Sequence, residues 1–403
     1  MREPIFRFLV NNDDETYRKS ILSTSFFIES GIFALIFIIS LFLPFFFHIQ
    51  HYHLIIISIY IYSFYELYMQ VVRVLYSSTK FMIMGITTSF LTVTLSILFF
   101  FLMNRSIEGL FVGNILSRII SMAIIELPER KFFKSLSIKH IKRIHIKEIL
   151  SYSLPMLIAA LVYGTMSSCG KYIVSYYFEF ADNGDLAISE KYTTIILVLG
   201  LTFYQAWQVT AVKNFRGEGS SAFFSEVFNK YAILLSLIVI CISFGIRSFD
   251  FILIDEKYHQ SLDLIFLYGT AIMFYCFAIF YEIVFQCTKQ MSKILLPLLT
   301  CAVITPAISV ILIKEFGIMG NVSAICISYA YLFIFRYFQT RKVLHIKLGK
   351  GLYFSILLLA TNGFLFYGIH NRYLDYSILT ASTISLLLYS FYMKNKYLRK
   401  NTN

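Results

Sequence analysis

Charged residues are scarce in this chain, and their scarcity limits what kind of protein it is. Asp, Glu, Lys and Arg together make up only 14% of the 403 residues, whereas 58% are hydrophobic and the mean hydropathy is +0.71. A water-soluble fold of this composition would have to expose large apolar surfaces to solvent. The composition therefore argues against a soluble enzyme and predicts an integral membrane protein.

Proline, glycine and cysteine are also sparse. Six prolines and eighteen glycines leave no Pro/Gly-rich linker, and no polar stretch is long enough for a separate soluble domain. No CxxC pair occurs, and the cysteines lie inside or at the ends of apolar segments, at Cys169, Cys241, Cys276, Cys287, Cys301 and Cys326. His48, His51 and His53 lie close together but have no acid or thiol nearby in the sequence. We therefore expect no metal site, disulfide framework or cofactor.

Long apolar runs dominate what remains. A transmembrane helix needs roughly 20 mainly apolar residues, because it rises about 1.5 Å per residue across a hydrocarbon core of about 30 Å. Twelve segments satisfy this rule: 21–47, 53–76, 81–103, 108–127, 151–178, 186–209, 228–249, 263–287, 294–313, 318–338, 351–370 and 374–393. Their runs are apolar on both faces, whereas barrel strands would alternate. The sequence predicts an all-α protein with about 12 transmembrane helices.

The net charge of +12 raises the possibility of nucleic-acid binding, so the positions of the charges matter. Lys and Arg lie in short loops between the apolar runs, mostly in alternate loops that include both termini. The opposite set of loops holds only Arg105, Arg247, Lys257, Lys314 and Arg372. By the positive-inside rule, both termini are cytoplasmic. We expect a multi-pass protein of a bacterial inner membrane that contacts membrane lipids, with no nucleic-acid partner.

The basic segment 128–148 provides the best internal boundary. It separates an N-terminal lobe of four helices, 1–127, from a six-helix lobe at 149–341, which 342–403 extends by two further helices and a tail. The positive segment is interpreted either as a topogenic, lipid-facing patch or as a site for a specific partner.

Short matches suggest an internal repeat. They occur in the same order and on predicted helices that run in the same direction. The matched pairs are Phe6-Arg7 with Phe215-Arg216, Phe64-Tyr65-Glu66 with Phe280-Tyr281-Glu282, and Gly113-Asn114 with Gly320-Asn321. They predict that the first four helices and the seventh to tenth are parallel repeats, as in transporters built from two lobes. On this count two helices are missing before Met1.

Several segments along nearly the whole chain resemble the polysaccharide flippase (Wzx-like) branch of the MATE/MOP transporter superfamily. The segments are Arg2-Glu3-Pro4-Ile5-Phe6-Arg7-Phe8-Leu9, Ser153-Leu154-Pro155, Ser167-Ser168-Cys169-Gly170-Lys171-Tyr172-Ile173, Gln205-Ala206-Trp207 and Lys314-Glu315-Phe316-Gly317-Ile318-Met319-Gly320. Where the family usually has Asp-Arg-Tyr, this chain has Gly170 and Lys171 before Tyr172. Lys191 matches a lysine of the family.

The resemblance implies a two-lobe MATE-like bundle that moves an oligosaccharide on an undecaprenyl pyrophosphate carrier across the inner membrane by alternating access. Such a protein would serve surface polysaccharide (O-antigen or capsule) biosynthesis and would work beside polysaccharide polymerase machinery. The resemblance also places Met1 where family members have already crossed the membrane twice.

Ionisable side chains inside apolar segments are candidate site residues, because each costs roughly 2.5–3.5 kcal/mol to insert. Lys171 and Lys191 both start on the order of 10 Å below the outer surface, where two cations at one depth suit a pyrophosphate or acidic sugars. The alternatives are that Lys191 pairs with Glu190 or that both lysines snorkel outward. Arg118 and Glu29 either form a structural pair or line the transport cavity.

The remaining candidates lie nearer the cytoplasmic side. Glu66 and Glu282, the repeat-related carboxylates, either couple transport to protons or cations or make interhelical hydrogen bonds. Arg7 and Arg73 match family arginines at the cytoplasmic mouth, where a phosphate docks first; plain topogenic charge is the other interpretation.

Three further functions remain open. A multidrug or cation-coupled exporter of the same superfamily is the nearest, and the cationic rather than acidic candidate site argues against it. A membrane-embedded oligosaccharide polymerase has similar length, but such enzymes carry a large outer loop, and no nucleophile, metal set or phosphate loop is present here. We therefore predict a protein that is not an enzyme. The third alternative is that the chain is a nonfunctional fragment, if two helices are missing.

Overall fold

The computed structural model describes residues 2–9, 14–42, 51–178, 182–369 and 371–401, and these residues form helices and connections without a strand. The chain divides into two compact units, Met1–Leu154 and Pro155–Asn403. The predicted all-α fold class is confirmed.

Unit 1 contains six helices and the start of a seventh. They are α1 (Arg2–Leu9), α2 (Glu15–Ser40), α3 (Tyr52–Val71), α4 (Ser78–Leu102), α5 (Ile107–Glu129), α6 (Lys131–Ser135) and the first part of α7 (Arg143–Tyr177). A π-helical turn, Val72–Tyr76, continues α3, and a 3₁₀ turn, Ile138–His140, precedes α7. Asp14 caps α2: its carboxylate accepts hydrogen bonds from the Thr16 N–H at 2.9 Å and hydroxyl at 2.8 Å, which lowers the pKa of Asp14.

Unit 2 contains the rest of α7 and all later helices. They are α8 (Asp182–Asn214), α9 (Ser220–Ser248), α10 (Asp250–Leu253), α11 (Ser261–Thr288), α12 (Leu295–Thr340), α13 (Lys350–Gly368) and α14 (Arg372–Asn401). The helix α11 is the most buried of the candidate spans, and it packs against α8, α9, α12 and α13. Its rings Phe277, Phe280 and Tyr281 surround Phe228 of α9 and form the aromatic core.

Eleven helices in the described part of the chain are long and apolar enough to cross a membrane. The sequence predicts twelve spans, and the difference lies in Met291–Thr340, which contains both predicted segments 294–313 and 318–338. The helix α12 breaks between them at Gly317, whose φ of 60° and ψ of −145° favour a residue without Cβ. The twelve predicted segments thus correspond to the observed ones, although α2 ends at Ser40 and the predicted end at 47 lies outside the described residues.

The two arms of α12 fold back on each other. Four contacts join residues on the two sides of Gly317, and a residue farther from Gly317 on one side contacts a residue farther from it on the other. They are Gln339 Nε2 to the Lys293 carbonyl at 2.8 Å, Thr300 Oγ1 to the Tyr331 hydroxyl at 3.0 Å, Cys301 Sγ to the Ser328 carbonyl at 3.3 Å and Ser309 Oγ to Asn321 Oδ1 at 2.7 Å. Contacts in this order define an antiparallel hairpin. A Cβ on Gly320 would overlap the Leu312 carbonyl, so this glycine lets the arms approach closely.

Unit 1 contains a similar hairpin between α4 and α5, turning at Asn104 and Arg105, which both have positive φ. A Cβ on Gly109 would overlap the Phe99 carbonyl, and one on Gly113 would overlap the Ser96 backbone. The sequence match aligned Gly113 with Gly320. Measured from the turn, however, Gly109 is the closer counterpart of Gly320. Superposition of the two helix quartets stays a prediction.

The helices α13 and α14, predicted as an addition to the second lobe, pack on α9 within unit 2. Arg247 of α9 joins all three helices. Its guanidinium forms a two-point contact with Asp375 of α14, with Nε to Oδ2 at 2.9 Å, and donates to the Phe366 and Ile369 carbonyls at the end of α13. A buried arginine thereby satisfies carbonyls that a helix end leaves open.

Candidate functional site

The strongest candidate site lies on α7 and α8 in unit 2. Lys171 Nζ lies 2.7 Å from Glu190 Oε2, and the Tyr268 hydroxyl of α11 donates to Glu190 Oε1 at 3.0 Å. Glu190 thus has partners on two other helices, Lys171 on α7 and Tyr268 on α11. The sequence alternative that pairs Glu190 with Lys191 is wrong, because neighbours along a helix point about 100° apart and do not face each other.

Lys191 lies on the exposed side of α8. Together with Thr194 and Val198 it forms an exposed face, as the helical spacing predicts, while Ser189 and Thr193 are buried on the opposite side. Within the described residues Lys191 makes no ion pair. The candidate site residues therefore include Lys171, which Glu190 neutralises, and Lys191, which has no ion pair among the described residues.

Gly170 leaves room for a side chain of the α12 hairpin. A Cβ at this position would lie 3.2 Å from the side-chain amide of Asn321, which is fully buried and accepts a hydrogen bond from Ser309 at 2.7 Å. A larger side chain at position 170 would have to displace Asn321. Position 170 therefore packs directly against the second arm of the α12 hairpin.

Arg118 and Glu29 of unit 1 have separate partners. The Arg118 guanidinium lies 5.0 Å from the ring centroid of Tyr62 and 5.9 Å from that of Tyr65, and it donates to the Asn114 carbonyl at 2.9 Å. Glu29 is buried on α2. It accepts a hydrogen bond from the Ser63 hydroxyl of α3. The ion pair that the sequence allowed between Glu29 and Arg118 does not form in the described structure.

A groove lies beside Arg118 on its α3–α5 side. It has a volume of about 410 Å³ and a mainly apolar lining that includes Ser58, Tyr62, Leu110, Phe111 and Asn114. Tyr62 and Asn114 are also the residues that Arg118 contacts. The groove therefore ends beside a cation that sits well within the apolar part of α5.

Arg73 sits in the π-helical turn after α3, against α1. Its guanidinium lies 4.0 Å from the Phe6 ring centroid and donates to Gln70 Oε1 at 3.3 Å. Arg7, the residue after Phe6, is half-buried on α1. The structure thus places both predicted arginines on neighbouring elements at one end of unit 1.

The two repeat-related carboxylates differ in environment. Glu282 Oε2 lies 2.8 Å from Nη1 of the fully buried Arg336, whose Nη2 donates to the Tyr163 hydroxyl at 3.3 Å. Glu66 is half-buried on α3. A carboxylate neutralised by a buried arginine fits the interhelical alternative better than a free coupling group.

Three buried polar residues were missed as intramembrane sites. Arg336 lies inside the predicted segment 318–338 but was not named as a candidate, although its position in an apolar run indicates burial. Glu126 accepts hydrogen bonds from Tyr68 at 2.7 Å, from Tyr76 and from the Phe133 N–H at 3.0 Å. Arg247 was counted as a loop charge.

The histidine cluster also looks different in the structure. His51 Nδ1 lies 2.7 Å from Glu108 Oε1, so an acid far away in the sequence is its neighbour. His48 lies outside the described residues. Within the described part of the chain no group of His, Cys, Asp and Glu is placed to hold a metal ion.

The comparisons with known proteins identify the fold. No protein-family model and no curated protein matches the chain. It is similar to the crystal structure of a MATE in complex with MaL6, with a TM-score of 0.70 and 13% identity over 90% of this chain and 83% of that one.

Two further structures give the same picture. The outward-facing conformation of a multidrug resistance MATE family transporter of the MOP superfamily has a TM-score of 0.69, with 14% identity over 90% of this chain and 83% of that one. The Vibrio cholerae MATE transporter VcmN in the bent form has a TM-score of 0.65, with 12% identity over 89% and 86%. The chain therefore has a MATE-like fold and is a multi-pass membrane protein. At these identities the likeness identifies the fold alone.

Proposed function

We propose that this chain is a transporter that moves an undecaprenyl-pyrophosphate-linked oligosaccharide across the bacterial inner membrane for surface polysaccharide biosynthesis. The MATE-like fold supports a transporter. The resemblance of the sequence to polysaccharide flippases supports the substrate class. The observation that carries the proposal is the lysine site on α7 and α8.

The site suits an anion because cations predominate in it. Lys171 and Lys191 contribute two positive charges and Glu190 one negative charge, and Lys191 is free of ion pairs among the described residues. A pyrophosphate brings strong acceptor oxygens and several negative charges, so it binds one ammonium directly and competes with Glu190 for the other. Glu190 thereby holds Lys171 in place when no substrate is bound.

The other predicted residues receive roles consistent with their surroundings. We assign Arg118 to the lipid-linked phosphate as it passes the apolar groove, and Arg7 and Arg73 to its first docking at the end of unit 1. We keep Glu29 and Glu66 as coupling candidates. Glu282 is the weakest of the three, because Arg336 already compensates its charge.

A multidrug exporter is the second candidate, and the observation in its favour is the similarity to a multidrug resistance MATE family transporter. The two functions differ in the charge of the cargo. An exporter of cationic compounds would gain nothing from a site in which, among the described residues, the charge without an ion pair is an ammonium group.

The test uses the full chain purified into lipid vesicles. One assay measures how much undecaprenyl-pyrophosphate-linked oligosaccharide added to the outer leaflet becomes protected from an external glycosidase. A second assay measures uptake of a cationic dye, and the Lys171→Gln/Lys191→Gln double variant gives the background for both. We expect protection of the sugar and no dye uptake, and dye uptake without protection would reject the flippase in favour of the exporter.

A further inference from the structure

The basic segment that follows α5 and includes the start of α7 is fixed to unit 1 rather than free. We call residues 130–147 the strap. Its Phe132 is fully buried, with ring centroids 6.2 Å from Phe26, 6.1 Å from Phe64 and 5.5 Å from Tyr68. The strap is therefore anchored in the aromatic core of unit 1.

Hydrogen bonds from α2 hold the rest of the strap. Ser23 Oγ donates to the Ser135 carbonyl at 3.3 Å and accepts from the Ser137 N–H at 3.0 Å. Ser20 Oγ donates to the His140 carbonyl at 2.7 Å. Because its inner face is held in this way, the strap presents a defined outer face beside the ends of two membrane-spanning helices.

That outer face is strongly basic. The strap contains no Asp or Glu, and all its Lys and Arg side chains are exposed, at Arg130, Lys131, Lys134, Lys139, Lys142, Arg143 and Lys147. The positive-inside rule alone would account for the basic residues here, but it does not explain which residue types lie between them.

Large apolar side chains stand between these charges and point outward. Ile138 is 86% exposed, Ile144 65% and Phe133 61%. Exposing such side chains to water is unfavourable. Apolar side chains alternating with Lys and Arg are typical of segments that lie in the membrane interface, where apolar groups enter the acyl boundary and the cations meet anionic headgroups.

We propose that the strap is a membrane-surface element that binds anionic phospholipids of the leaflet at the ends of α2 and α5. Ile138, Ile144 and Phe133 insert among the acyl chains, and the lysines contact the headgroup phosphates. Charge complementarity and the position of the strap at the ends of two membrane-spanning helices favour lipid over an acidic soluble protein, which would leave the interleaved apolar residues without a function. The inference does not depend on the proposed substrate.

Tryptophan fluorescence tests the proposal directly, because Trp207 is the chain's single tryptophan. The parent protein therefore supplies the background signal. The probe is Ile138→Trp, with Ile144→Trp as a second position, in the full chain reconstituted into vesicles of brominated phosphatidylcholine with or without phosphatidylglycerol. The matched control is Lys342→Trp, an exposed position in the connection after α12.

We expect brominated lipid to quench both strap probes and phosphatidylglycerol to increase that quenching by roughly twofold or more, since each basic residue near the surface adds to the attraction. The control should instead be quenched by aqueous acrylamide. In Ile138→Trp, replacing Lys131, Lys134, Lys139 and Lys142 by Gln should remove the increase. Two results would overturn the proposal. Strap probes quenched by acrylamide rather than by brominated lipid, like Lys342→Trp, would show that the outer face is in water and available to a soluble partner. Quenching by brominated lipid that does not change with phosphatidylglycerol would show that anionic lipids are not bound.

Discussion

Glu282 and Arg336 form an ion pair in the interior of unit 2, with Oε2 and Nη1 2.8 Å apart and the arginine fully buried. The pair joins α11 to the second arm of α12. A buried charge depends on its partner, because removing one member leaves the other uncompensated. The pair is therefore a test of whether Glu282 couples transport or stabilises the bundle.

We predict that Glu282→Gln destabilises the purified protein, because a broken buried ion pair costs roughly 3–5 kcal/mol. The measurement is the thermal unfolding temperature in detergent. The double variant Glu282→Leu/Arg336→Leu should recover most of the loss, since it removes both charges. A Glu282→Gln protein of unchanged stability that no longer transports would contradict this and restore the coupling role.

We predict that Lys171→Gln and Lys191→Gln each abolish surface glycan in a strain that depends on this chain, while the protein remains inserted and abundant. The reason is the loss of a cation from the proposed pyrophosphate site. Lys213→Gln is the matched control, because Lys213 is exposed on the same helix α8 but near its end. Normal glycan at matched expression in both site variants would show that the cationic site has no such role.

Glu190→Gln should have the opposite effect on binding. It releases Lys171 from its partner, and since a partly exposed ion pair contributes about 0.2–1 kcal/mol, the affinity for a pyrophosphate-bearing lipid should rise by up to roughly fivefold. Binding of undecaprenyl pyrophosphate to the purified variant checks this. The Tyr268→Phe variant, which removes a hydrogen bond to Glu190 but no charge, is the control. Weaker binding to Glu190→Gln would mean that the carboxylate positions Lys171 rather than competing for it.

Gly320→Ala should destabilise the α12 hairpin, because the new Cβ would overlap the Leu312 carbonyl and force the arms apart. The thermal unfolding temperature should fall. Gly164→Ala, on the exposed side of α7 with nothing within 4 Å of its Cβ, adds the same methyl group without a clash. There the change should be neutral or stabilising by about 0.5–1 kcal/mol. Equal effects at the two positions would show that the close approach of the arms is not required.

The sequence by itself determined the membrane class, the helical fold and the approximate positions of the spans. These follow from the length and hydropathy of continuous apolar runs, which are local properties. The break between the two spans of α12 could also be predicted from the sequence, because Gly317 lies between two apolar runs that are each long enough to cross the membrane. Membership of Lys191, Thr194 and Val198 in one face followed from the period of the helix.

Only the tertiary structure decided which charges meet. The partner of Glu190 is Lys171 on another helix, and the partner of Glu282 is Arg336 on the far arm of a hairpin. Such pairings depend on how each helix is rotated and how far it is shifted against its neighbours, and packing sets both. Anchoring of the strap by Phe132 had no signal in the sequence for the same reason, since the rings around it come from α2 and α3, more than sixty residues away. Local patterns specify which helices form, whereas the contacts that create a site are properties of the packed bundle.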